Sequence, residues 1–181
     1  MRVVVEPHNP CWTDLFDIEA KKVAQALGLN VVAIHHIGST AIPTIHAKPI
    51  IDMLIEAADI GDVDTHNSAM EALGYEAMGE YGIPGRRYFR KDDDARTRTH
   101  HAHVFAAGCP EVERHLAFRD FMLEHPEWAR QYSDLKRKLA EAHSEDIEAY
   151  VDGKDAFIKE MNTKAAEWRA CSAAWARTSS K

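Results

Sequence analysis

Long apolar runs are missing from this sequence, and no stretch approaches the ~20 consecutive apolar residues that a membrane-spanning helix needs. Cysteine is scarce: Cys11, Cys109 and Cys171 lie far apart, and no Cys-x-x-Cys occurs. A disulfide scaffold and a cysteine-based zinc site are therefore not expected, and a reduced, cytoplasmic chain is. A basic surplus is lacking too. Lys and Arg total 22 against 29 Asp and Glu, a formal net charge of −7. That balance disfavours a broad basic face for duplex DNA, while local clusters can still hold a phosphate. The N-terminal residues show no basic segment followed by an apolar run, so no signal peptide is expected. There is no Walker A sequence, no Gly-x-Gly-x-x-Gly and no Gly-x-Ser-x-Gly. Repeats and low-complexity tracts are absent as well. The length of 181 residues suits one domain with a real core, or one with a helical extension. Oligomeric state is not legible.

What is present reads as strands and helices in a definite order. Met1–Glu6 is a short β-branched run, expected as an edge strand. Asn9-Pro10 opens a helix whose face is Trp12, Leu15, Phe16, Ala20, Val23 and Leu27, and Gly28 ends it. Strands are expected at Val31–Ile37 and Ile50–Ile55, then a helix over Asp62–Leu73 and a short strand at Tyr75–Met78. Arg86–Lys91 and His100–Ala106 read as strands joined by a polar loop; alternation puts Arg86, Tyr88 and Arg90 on one face of the first. After Cys109-Pro110 only helical patterns follow: Pro110–Glu124, a helix from Pro126, and a third from Ser144-Glu145 that Asp152-Gly153 is expected to break. The division expected is an α/β core over residues 1–108, a helical cap of the same domain over 109–170, and a frayed tail over 171–181.

The stretch His36–Glu56 organises the rest. Gly38-Ser39 forms a tight turn after a strand, and the next strand is apolar except for Asp52. A lone acid in such a run is costly to bury without a partner. A Gly-Ser turn offers backbone N–H groups to a phosphate, Lys48 can add charge, and Asp52 can hold a divalent cation. The alternative is an ordinary turn beside a hydrogen-bonded acid. His101 and His103 share a strand face about 7 Å apart. If that strand lies beside Asp52, a two-histidine, one-carboxylate site results, suited to zinc or another transition metal over magnesium; otherwise the histidines are polar structure. Arg86, Arg87, Arg90 and Lys91 with Tyr88 form the one basic cluster before the helical region. It reads either as a phosphate clamp, with Arg87 and Arg90 as its forks, or as a hairpin neutralised by Asp92, Asp93 and Asp94. Tyr132 and Trp128 read as core.

These motifs resemble one family. His36-Ile-Gly-Ser-Thr-Ala-Ile-Pro43, Ala47-Lys-Pro-Ile-Ile-Asp52, Arg98-Thr-His-His-Ala-His-Val104, Phe118-Arg-Asp120, Leu135-Lys136 and Tyr150-Val-Asp-Gly-Lys154 are similar to the signature of the bacterial GrpB family. The likeness runs from Trp12 to about Trp168, with departures at Thr44 and His35. That family in turn resembles the nucleotidyltransferase superfamily. The resemblance implies a nucleotidyltransferase-like mixed sheet flanked by helices, with Gly38, Ser39 and Thr40 at phosphates and Asp52 as the catalytic, metal-holding acid. A magnesium or manganese ion, with zinc as the variant, and a nucleotide or other phosphorylated small molecule are the implied partners. The superfamily's second carboxylate is missing, since Leu54 stands there, and Glu56 lies roughly 13 Å along the strand from Asp52. Two readings therefore compete: a nucleotidyltransferase, or a non-catalytic nucleotide-binding or regulatory module. A histidine-based metal-dependent hydrolase is the third. Fusion of family members to dephospho-CoA kinase points toward nucleotide or coenzyme A precursors.

Overall fold

Strand β1 (Val31–Ile37) and strand β2 (Ile51–Ala57) pair antiparallel, with Ile37 beside Asp52. Strand β3 (Tyr75–Ala77), β4 (Arg87–Asp92) and β5 (Arg98–Ala106) form an antiparallel meander. The two groups join through a parallel β2–β5 pair, giving one mixed sheet of five strands in the order β1-β2-β5-β4-β3. These relations come from a computed structural model that describes residues 3–178, with side chains as far as residue 172. The architecture is mixed α/β, as the sequence leads one to expect.

Alternation along the strands divides their residues between two sheet faces. Met53, Ile55, Phe89, Ala102 and Val104 are buried on one, where α1 (Cys11–Leu27) and α2 (Asn67–Ala72) pack. The Asn9 side chain accepts from the Cys11 N–H at the start of α1, and Gly28 closes the helix at φ 61°. Leu15, expected inward, is exposed, and Glu19 is buried in its stead. Glu19 lies there because Lys91 reaches it across the sheet face at 2.6 Å and Lys22 at 3.0 Å. The expected Asp62–Leu73 helix begins as a 3-10 turn over Asp62–His66 before α2, with Val63 and Met70 buried.

The chain divides into two compact units. One comprises residues 9–41 and 49–113 and contains the sheet. The other comprises residues up to 8, residues 42–48 and those from 114 on. The sequence-based division at 108/109 differs from these units at residues 3–8, 42–48 and 109–113. Ile42 and Ile45 are buried among Phe121, Met122, Tyr132 and Met161, not against the sheet. The expected first strand is also absent: Glu6 makes a single bridge to Ala47, and the Val3 N–H donates to Ser144. Met1 and Arg2 lie outside the described residues.

The helical unit is built on α3 (Pro110–Glu124) from residue 114 on, α4 (Pro126–Ala142) and α5 (Ile147–Thr178). Helix α5 is not broken at Asp152-Gly153. A Cβ at Gly153 would stand 2.5 Å from Leu139 Cδ2, so glycine there lets α5 close on α4. The expected tail is helical through Thr178, and residues 179–181 lie outside the described part. Tyr132 is buried and stacks on Phe157, and Trp128 packs against the same cluster. All three cysteines are free. Among the described residues no helix is long and apolar enough to cross a membrane.

Candidate functional site

The site starts where β1 ends. Gly38 has φ 70°, a conformation that costs glycine little. Ser39–Ala41 then makes one 3-10 turn, with the Ala41 N–H donating to the Gly38 carbonyl at 3.3 Å. A Cβ on Gly38 would stand 2.3 Å from Asp52 Oδ2 and 3.0 Å from Asp52 Cβ. The bend and the acid therefore touch.

Parallel pairing then brings the histidines, with His101 beside Asp52 and His103 beside Leu54. Asp52 Oδ1 is 2.9 Å from His101 Nδ1 and 3.9 Å from His103 Nε2. One ligand atom from each of the three residues can be chosen so that all lie within 4.8 Å of one another. Burial pushes the Asp52 carboxyl up, but the hydrogen bonds and charge of His101 and His103 outweigh it and hold it well below the usual carboxylate range. An ionised carboxylate only accepts, so His101 Nδ1 donates to it.

Arg86 completes the cluster. It is 6% exposed, a burial that a cation tolerates only with partners. Its Nε donates to the Glu80 carbonyl at 3.2 Å, its Nη2 to the Tyr81 carbonyl at 2.8 Å, and it lies over the Tyr88 ring at 4.8 Å. Its Nη1 is 3.4 Å from His103 Nδ1. A guanidinium only donates, so His103 Nδ1 accepts and the neutral ring carries its proton on Nε2, toward Asp52. Burial pulls His103 below the ordinary histidine value, against the opposing effect of Asp52. The Tyr88 ring fills the space beside both histidines, with centroids 5.6 and 5.1 Å away.

Gly38, Asp52, His101 and His103 are thus brought together, with Ser39 next to Gly38. Other expected residues are placed elsewhere. Thr40 is 1% exposed, and its hydroxyl donates to the Ile50 carbonyl at 3.2 Å. His36 Nε2, 3.0 Å away, must then donate to that hydroxyl; Thr40 is buried and braces the turn. Arg87 lies on the helix-packed face and forks onto Asp64 at 2.6 and 2.8 Å. Arg90 shares the site face but pairs with Glu76 at 2.6 Å. The acids neutralising these two arginines are therefore Asp64 and Glu76, not Asp92, Asp93 and Asp94; Asp92 pairs with Arg98. Lys48 belongs to the helical unit, 6.0 Å from the Tyr150 ring centroid. Leu54 is fully buried, and Glu56 is held by His35 Nε2 at 2.9 Å and the Gly108 N–H at 3.2 Å.

The donor set is one carboxylate oxygen and two imidazole nitrogens, which suits a single zinc-type or manganese-type ion better than a magnesium pair. Arg86 is the member that sequence reasoning did not single out. Its alternation with Tyr88 was readable, but the antiparallel Tyr88–His103 register that brings it to His103 was not.

Comparison with known proteins bears on the family and the fold. The GrpB protein family matches residues 2–164. The chain is 45% identical over 168 residues to the UPF0157 protein YqkA of Bacillus subtilis, covering 93% of this chain and 48% of that protein. It is similar to the crystal structure of a conserved protein GrpB from Enterococcus faecalis, with a TM-score of 0.88 and 42% identity over 92% of this chain and 99% of that one. At greater distance it is 26% identical to a dephospho-CoA kinase of Mycobacterium leprae, covering 88% of this chain and 45% of the kinase. The chain spans about half the length of YqkA and of that kinase.

Proposed function

The chain belongs to the GrpB family, and on that footing we propose that it binds a nucleotide or other phosphorylated small molecule at the Gly38–Ser39 turn, together with one divalent cation at Asp52, His101 and His103. The observation that carries this reading is the contact of the turn with an ionised acid that also faces two imidazoles. A phosphate approaching that turn meets the negative charge of Asp52. A cation between them removes the repulsion and lets both sides ligate it. The turn supplies N–H donors, and the dephospho-CoA kinase relative is a phosphoryl-handling protein by name.

Binding, not nucleotidyl transfer, is the activity proposed. Transfer through two metals needs further carboxylates to share the ions. Leu54 at the second position is buried hydrocarbon, and Glu56 is engaged by His35 and Gly108. A ligand-binding module is therefore favoured over a two-metal transferase.

Calorimetric titration with manganese or zinc, then with a nucleoside triphosphate, tests the reading. One equivalent of cation should bind and should strengthen triphosphate binding. Asp52→Asn should weaken cation binding by roughly 100-fold, since it removes the only formal negative charge of the set. A wild-type protein that takes up neither cation nor triphosphate, alone or together, would end this proposal.

Arg86 sets a limit on cation affinity. A ligating histidine normally donates its second N–H to an acceptor, and the guanidinium offers none to His103 Nδ1. Arg86→Gln places an amide oxygen there and is expected to tighten zinc binding by about tenfold, read by chelator competition. Unchanged affinity would mean that Arg86 does not govern the His103 proton.

A further inference from the structure

The helical unit repeats one short pattern. Tyr132-Ser-Asp-Leu-Lys136 lies on α4 and Tyr150-Val-Asp-Gly-Lys154 on α5. In a helix, residues four apart share a face, and a long side chain leans back over the preceding turn. Each lysine does so. Lys136 Nζ is 4.4 Å from the Tyr132 ring centroid, and Lys154 Nζ is 4.3 Å from that of Tyr150. Lys48, from the 42–48 segment of the same unit, approaches the Tyr150 ring from 6.0 Å. The aspartates of both patterns, Asp134 and Asp152, are exposed, and Asp134 sits near Arg137 at 3.8 Å.

Lys136 is the anomaly. It is 2% exposed, and its Nζ has no hydrogen-bond partner among the described residues. A buried ammonium with three N–H donors and no acceptor is costly. Burial, then the charge of Lys154, pulls Lys136 down to about 7. Tyr150 is likewise pushed up, by burial and then by Tyr132. Gly153 explains how two like charges come to be neighbours, because the close α4–α5 approach it permits carries Lys154 toward Lys136. Lys136 itself has no anion within hydrogen-bond reach among the described residues.

We propose that Lys48, Lys136 and Lys154, with the Tyr132 and Tyr150 hydroxyls, form an oxyanion site for a phosphate dianion, free or as the terminal group of a phosphomonoester. Three ammonium groups from three chain segments give charge-assisted donors to separate oxygens of one tetrahedral group. Half-buried Lys48 and Lys154 provide the approach, and Lys136 the floor. The site lies in the helical unit and does not depend on the sheet-face reading, so chelation of divalent cations should leave it intact.

The test is thermal unfolding and calorimetry of the whole chain at pH 7 and constant ionic strength, with inorganic phosphate and glycerol phosphate in separate arms and chloride as reference. At least one arm should raise the unfolding temperature and bind with unit stoichiometry. Both arms active means that the bare dianion suffices; glycerol phosphate alone means that the ester is required. Lys154→Gln and Lys136→Met should each weaken binding by about tenfold or more, with wild-type binding unchanged by a chelator of divalent cations. Lys154→Gln, at a half-buried position, decides the matter should Lys136→Met not fold. Absence of binding in both arms, binding undiminished in Lys154→Gln, or binding lost on chelation but not in the lysine variants would overturn the assignment.

Discussion

Replacing Gly38 by alanine should unfold the protein more easily and remove the proposed cation site together. Two effects add. The backbone there has φ 70°, where a side chain costs about 1–2 kcal/mol. The new Cβ would also lie 2.3 Å from Asp52 Oδ2, so the carboxylate must move. Moving it lengthens the 2.9 Å contact with His101, a charge-assisted bond of about 1.5–3 kcal/mol. A total loss of roughly 2–4 kcal/mol is expected in urea denaturation, with cation binding too weak to measure. Gly108→Ala separates the two effects: its φ is 72°, with nothing within 4 Å of the added Cβ. That variant should lose only the backbone component, about 1 kcal/mol. Equal losses in the two variants would show that the bend and the acid do not touch.

The second large effect runs the other way. Lys136→Met should stabilise the protein at pH 7 by about 2–4 kcal/mol in phosphate-free buffer. Lys136 is held at about 7 in the fold, below its ordinary 10.5. Between those values the unfolded chain binds the proton more than the folded chain does. Wild-type stability from this group is therefore complete above about pH 10.5 and is lost as pH falls toward 7. Methionine fills similar volume without the charge, so its advantage should be greatest at pH 7 and below and should shrink toward pH 10. A difference that stays constant across pH 7–10, or a destabilised variant at pH 7, would show that Lys136 is not a strained cation. Added phosphate should narrow the gap at pH 7, because the dianion stabilises only the protein that retains the lysine.

The sequence discloses local structure far better than partnership. Helix α3 runs from Pro110 to Glu124 as expected, because proline opens it and no competing pattern intrudes. Strands β1 and β2 follow from β-branched runs, and Asp52 stands out as the single acid in an apolar strand. Gly153 misleads in isolation: glycine in a helix usually weakens it, and only Leu139, fourteen positions earlier, explains why one is needed there. The basic cluster misleads similarly. Arg87 and Arg90 look alike in sequence, yet alternation sends Arg87 to Asp64 on the helix-packed face and leaves Arg90 on the other. Their acids lie 23 and 14 positions away, beyond the reach of a local pattern. Lys136 was legible in one respect, since it occupies the stripe of Ala129, Tyr132 and Ala140 where hydrocarbon is expected. What could not be read is that its ammonium meets the Tyr132 ring and, among the described residues, no hydrogen-bond acceptor.

The parallel β2–β5 pairing has a kinetic consequence. Asp52 and His101 are 49 positions apart, and everything in β3 and β4 must be made before they can meet. Closing so long a loop is slow compared with zipping the β4–β5 hairpin. A nascent chain can thus hold His101, His103 and Tyr88 in register while Asp52 is still unpaired. The acid and its imidazoles come together only once the central strands dock, so the Asp52–His101 contact reports that docking and not the earlier hairpin.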